Sequence, residues 1–131
     1  MKDLVPTEAV KAVIRSEEGG FLFVQRNPEV RDTDSWDLPG GLIENESPEA
    51  ALKRELDEEL GVEVDVGEKV GEWSFYRPLD GKTVRVSNYS CKILKGTVSL
   101  SEEHIASKWV TETEAKGLKV KDPSLFSALG N

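Results

Sequence analysis

The segment from Ser47 to Gly61 carries the start and stop signals of one helix, and three acidic residues ride on it. Ser47 is a good N-cap, and Pro48 takes the first helical position, where its missing N–H costs nothing. Glu49 lies in the first turn, where the helix dipole favours negative charge. Ala50 stands where a capping box would need Glu or Gln. Ala51, Leu52, Lys53, Arg54, Glu55 and Leu56 are strong helix formers, and Gly61 supplies a left-handed stop. The signals predict a helix over residues 48–60.

The side chains on that helix sort by angle. Measured from Ala51, Glu58, Glu55 and Glu59 fall at about −20°, +40° and +80°, and Leu52, Leu56 and Leu60 at about 100°, 140° and 180°. The leucines form a buried stripe, and the carboxylates form an arc beside it. Like charges so close raise each other's pKa unless a cation sits among them. Mg²⁺ answers that need, because it takes oxygen ligands, usually one or two carboxylates with water and substrate phosphates. Arg54 reaches Glu58 one turn on, or orients a neighbouring carboxylate.

An acidic helix face alone is ordinary solvated surface. The upstream segment Trp36-Asp37-Leu38-Pro39-Gly40-Gly41 changes its meaning. It reads as a strand end running into a glycine turn just before the helix. Paired glycines let backbone approach an ion closely.

Gly40, then five residues, Glu46, then seven, then Arg54-Glu55-Leu56-Asp57-Glu58-Glu59-Leu60-Gly61-Val62 matches the Nudix box at each defined position. The chain thus resembles the Nudix family. The strand Phe21 to Arg26 before the box, and Glu103-His104 with Trp109-Val110 after it, resemble the flanking pattern of the same family. In one respect it departs: the loop between Gly41 and Glu46 is one residue shorter than in many members.

The resemblance implies an α/β fold, a Nudix-type α/β/α sandwich with a mixed β-sheet between helices, as a single domain over residues 1–131. It implies hydrolysis of a pyrophosphate bond in a nucleoside diphosphate-X compound with Mg²⁺ or Mn²⁺. The metal ligands would be Glu58, Glu59 and the Gly40 carbonyl, with Glu55 a ligand or the general base. Arg54 would orient Glu55. Glu103 looks like the additional acid that some members use as ligand or base. A short single-domain chain is most similar to the MutT-type enzymes, which makes a nucleoside triphosphate the first substrate to expect. The alternatives are an ADP-ribose or nucleotide-sugar pyrophosphatase, for which Pro78 is a weak cue, and a non-catalytic nucleotide sensor. The resemblance also admits a homodimer.

Arg26 and Arg77 are candidates to meet phosphates, and Trp36 and Phe75, with Trp73 and Tyr76, to stack on a base. Each has a plainer role in packing or as surface charge. His104, the one histidine, reads as a structural loop residue, and Cys91 as a buried thiol in a strand. The net charge of −8 argues against binding to a nucleic-acid polymer. It leaves a small nucleotide open, since a metal supplies local positive charge. No run is long and apolar enough for a membrane span, and the charged start Met1-Lys2-Asp3 is unlike a signal peptide, so cytoplasm is the expected location.

The remaining segments read as follows. Ala9 to Arg15 and Phe21 to Arg26 form a hairpin about the turn Ser16 to Gly20. Asn27 to Ser35 is a polar loop. Glu63 to Val70 is a strand, which Glu72 to Arg77 continues or follows as the next one, and Thr83 to Leu94 and Lys108 to Thr111 are strands. Glu112 to Lys116 starts a helical turn, and Pro123 to Leu129 is a terminal helix capped by Asp122.

Overall fold

A computed structural model describes residues 5–31 and 33–130; Met1-Lys2-Asp3 lies outside the described residues. The strands are β1 (Glu8–Ile14), β2 (Phe21–Arg26), β3 (Trp36–Asp37), β4 (Gly40–Leu42), β5 (Glu63–Arg77), β6 (Lys82–Lys95) and β7 (His104–Val110). The helices are α1 (Pro28–Arg31), α2 (Pro48–Leu60) and α3 (Glu112–Ala115), followed by a 3₁₀ segment, Pro123–Ala128. A mixed sheet runs β4-β1-β6-β5, with β1 parallel to β6 and the other pairs antiparallel. A smaller antiparallel sheet runs β3-β2-β7.

Period-2 alternation of β1 and β2 builds the layers. Ala9, Val13, Phe21 and Phe23 face a core closed by Ala115, Leu125, Ala128 and Leu129 from α3 and the 3₁₀ segment. Val10, Ala12, Ile14, Leu22 and Val24 face a second core closed by Leu52, Leu56 and Leu60 of α2. The helices thus lie on both sides of the strands, as the sandwich requires. Each of the three leucines is fully buried, and burying such a side chain stabilises by about 1.5–3 kcal/mol.

Helix α2 occupies the predicted span, with Ser47 accepting from the Ala50 N–H and Gly61 left-handed at φ 68°. Several expectations are corrected. β1 and β2 are not a hairpin: they meet at one bridge, Arg15 to Phe21, and belong to different sheets. Both are buried on both faces, so each pairs within its own sheet while contributing to both cores. The loop after β2 contains α1, started by Pro28 with the Asn27 side chain accepting from the Glu29 N–H. Gly40 and Gly41 form strand β4 against Lys11 and Val10 rather than a turn. Of the two readings left open after Val70, continuation holds: Glu63 to Arg77 is one strand, with bulges between Val66 and Gly71. β7 starts earlier than expected, at His104. The terminal helix is 3₁₀ over Pro123–Ala128, with Asp122 as its cap.

Asn88 ties the 3₁₀ segment to the sheet. Fully buried, it accepts from Trp73 Nε1 at 3.0 Å and donates to the Ala128 carbonyl at 2.8 Å. Asn88→Ala strands both partners, so chemical denaturation should show a loss of about 3 kcal/mol. A loss under about 0.5 kcal/mol, the scale of a surface change, would contradict this role. Among the described residues no helix is long and apolar enough to cross a membrane.

Candidate active site

The carboxylates of α2 stand at three depths. Glu58 is exposed, Glu55 is half-buried, and Glu59 is 2% exposed among the leucines. Glu59 lies nearest the apolar stripe, as its angular position predicts. Glu59 Oε1 accepts from the Gly40 N–H at 3.3 Å. Burial pushes the Glu59 carboxyl up to about 8, with Lys11 opposing and Glu55 adding to the rise. Burial also raises Glu55, against the pull of Arg54 and with help from Glu58.

Arg54 organises the arc. Its Nη1 donates to Glu55 Oε1 at 3.1 Å and Glu58 Oε1 at 3.2 Å. Its Nε donates to both oxygens of Glu46, and its Nη2 to Glu46 Oε1 and the Leu42 carbonyl. Hydrogen bonding to Arg54 holds Glu46 below the usual carboxylate range. In the shortened loop Asn45 adopts a left-handed φ of 58°, and the Glu44 N–H donates to Glu46 at 3.1 Å. Glu46 therefore ends as the anchor of Arg54, a role the sequence reading did not give it.

β4 presses its glycines against this arc. A Cβ on Gly41 would lie 2.0 Å from Glu55 Oε2. Beside β4 opens a cleft of about 370 Å³, lined by Lys11, Arg26, Asp37, Glu55, Trp73, Phe75, Arg77 and Lys121 among others. Asp37 is buried in its wall. Its Oδ2 accepts from Lys11 Nζ at 3.0 Å and Arg26 Nη2 at 2.8 Å, and its Oδ1 from the Leu38 N–H at 2.7 Å. Burial opposes ionisation of Asp37, yet Lys11 and Arg26 outweigh it and hold the carboxyl below its usual range.

The candidate residues separate accordingly. Gly40 and Glu55 line the cleft, Glu59 joins them through the Gly40 N–H, and Arg54 links Glu55 to Glu58. Arg26, Phe75 and Arg77 line the same cleft. Arg77 is already engaged, donating twice to Asp80 and once to the Pro6 carbonyl. Trp36 packs against the core with Lys108 Nζ 5.4 Å from its ring centroid, and is not among the lining residues. Glu103 sits in a turn before β7, in a separate shallow hollow shared with Glu58, Val30 and Ser101. Its carbonyl accepts from the Asn27 N–H at 2.9 Å. Cys91 is buried in β6, and burial pushes its thiol up to about 12. Sequence reading missed Lys11 and Asp37. The available signal was a lone lysine inside the apolar run Ala9 to Ile14.

The residues present suit a divalent ion. They offer hard carboxylate oxygens at graded depth, and Glu59 is a buried acid whose ionisation needs a compensating charge. Among the described residues no three acidic, histidine or cysteine side chains form a ready cage. Arg54 stands between the acids, and Mg²⁺ ordinarily completes its shell with water and phosphate.

An α/β/α sandwich with an acid-bearing helix against a glycine strand defines a class of hydrolase. The chain belongs to the Nudix hydrolase family: the sequence model of the NUDIX domain matches residues 5–129. It is 36% identical over 109 residues to the CTP pyrophosphohydrolase of Escherichia coli (strain K12), covering 82% of this chain and 78% of that protein. It is 34% identical over 107 residues to a MutT-like protein of Streptomyces ambofaciens, covering 81% of this chain and 64% of that protein. Among solved structures it is similar to the MutT protein from Methanosarcina mazei Go1, with TM-score 0.77 and 29% identity over 95% of this chain and 91% of that one.

Proposed function

We propose that this chain cleaves a pyrophosphate bond of a nucleoside triphosphate, assisted by Mg²⁺ or Mn²⁺. The observation that carries the reading is the meeting of the α2 acids with β4 at the rim of a cleft bearing cations and aromatic rings. Its extension to a triphosphate is supported by similarity to a protein named for CTP.

Glu58, Glu59 and the Gly40 carbonyl would hold the metal, with Glu55 beside them. When bound, the ion supplies positive charge against the pyrophosphate. Glu55 is the better candidate for general base. It faces the cleft, and its raised pKa moves it toward the working pH, where a base is most effective. Glu103 adjoins Glu58 on the other side, which suits an outer role in the acid set. Arg54 fixes Glu55 and Glu58 through one nitrogen and is itself fixed by Glu46, so the base is oriented before substrate arrives. Arg26 and Arg77 supply positive charge to the phosphates. Stacking of the base falls to the half-buried Phe75, backed at 5.9 Å by Trp73, which Asn88 holds in the core, while Trp36 stays in packing.

Incubation with CTP, other nucleoside triphosphates, 8-oxo-dGTP, ADP-ribose and dinucleoside polyphosphates tests this directly. With Mg²⁺, a triphosphate should yield nucleoside monophosphate and pyrophosphate, and EDTA should stop the reaction. Turnover unaffected by EDTA would remove the metal assignment. Cleavage of ADP-ribose with triphosphates left intact would replace the substrate assignment.

A further inference from the structure

Lys11 is a cation where the fold has no packing use for one. β1 is apolar on both sides of it, and the residue is only 7% exposed. Its ammonium meets Asp37 at 3.0 Å, but Arg26 already binds the same oxygen at 2.8 Å. Two cations thus share one carboxylate, so the charge of Lys11 is only partly met by Asp37 and is left to act on the other acids of the cleft. That charge stands close to the acids of α2. Lys11 lies directly across β1 and β4 from Gly40, whose N–H reaches Glu59, and its field is felt at both Glu55 and Glu59.

A fixed positive charge here acts in opposite directions on the two ligands. It repels a divalent ion approaching the acids, and it attracts polyphosphate. Low dielectric around a buried group strengthens both effects. We propose that Lys11 is a specificity-determining residue that makes metal binding depend on the nucleotide: in the substrate-free protein its ammonium competes with the divalent ion beside Glu55 and Glu59, and incoming phosphate offsets that charge so that metal and nucleotide bind together. This rests on the metal reading given under Proposed function.

The test measures Mn²⁺ binding by electron paramagnetic resonance and calorimetry, with and without a non-hydrolysable nucleoside triphosphate analogue. Wild-type protein should bind Mn²⁺ at least about tenfold more tightly with the analogue, a coupling within the usual range. Lys11→Met, and Lys11→Gln, which keeps a neutral N–H donor at this position, should bind Mn²⁺ about tenfold more tightly than wild type without analogue. Both should bind the metal-free analogue more weakly. A merely structural role would weaken both ligands together. Lys69→Gln, which removes an exposed charge on β5, should move neither affinity. Equal Mn²⁺ affinity of the wild type with and without analogue overturns the proposal, and needs no variant to fold. So does a neutral Lys11 variant that binds Mn²⁺ no more tightly. Wild-type protein that binds no Mn²⁺ under either condition defeats the underlying metal reading instead, and this inference with it.

Discussion

Glu59→Gln is expected to lower turnover at least about a hundredfold while making the metal-free protein more stable in alkali. The two effects share one cause. Glu59 is a carboxylate in an apolar layer, with its pKa about 8 against 4.5 for the unperturbed group. The native state therefore keeps a proton that the unfolded chain releases as pH rises through that window. Stability falls with pH wherever the native state binds more protons, so the contribution of Glu59 is progressively unfavourable from about pH 4.5 and fully so above about pH 8. Its upper limit is about 5 kcal/mol. Gln imitates the protonated acid and titrates nowhere. The stability difference between variant and wild type should be small near pH 4 and widen in favour of Gln up to about pH 9. Mg²⁺ should shrink the difference by stabilising wild type alone. Glu58→Gln is the contrast in burial: Glu58 is exposed, and its loss should depress turnover similarly. Urea melts across pH, beside steady-state rates, measure both effects. Wild-type rates in both variants would end the assignment of these acids to the reaction.

The difference between Glu58 and Glu59 was legible in the sequence because a helix converts residue spacing into angle, and the leucines mark which angle is dry. Ser47, Pro48 and Gly61 fixed that helix locally, through bonds that close within a few residues. What escaped is non-local. Asp37 becomes the counter-ion of Lys11 and Arg26 only because β3, β1 and β2, from two sheets, converge at the cleft. Glu46 becomes the anchor of Arg54 through the path of a shortened loop, which hinges on the left-handed Asn45. The apparent hairpin of β1 and β2 failed for the same reason: the turn between them reads identically whether the strands pair or part into separate sheets. Trp36 was drawn toward the site by its place beside the box, yet strand alternation turned its ring to the core and Lys108.

The adjacent glycines of β4 should fail in different ways when each is changed to alanine. At Gly40 the backbone adopts φ +146°, and an added Cβ would fall 2.1 Å from the Val10 carbonyl oxygen and 2.8 Å from Lys11 Cα. Both obstacles are backbone of a central strand, so the clash is relieved only by pushing β4 off β1. Gly40→Ala should therefore cost at least about 3 kcal/mol, read as a lowered denaturation midpoint. At Gly41 the added carbon meets the end of a side chain, Glu55 Oε2, at 2.0 Å. Glu55 can swing aside, so Gly41→Ala should melt near wild type. The swing, however, takes the carboxylate off Arg54 Nη1, now 3.1 Å away, and out of its place at the cleft. A displacement of about 1 Å in a reacting group costs on the order of a hundredfold in rate, so the loss should fall on kcat rather than on stability. Gly41→Ala with wild-type kcat would mean that the position of Glu55 does not matter to the chemistry, and the general base would then have to be sought at Glu103.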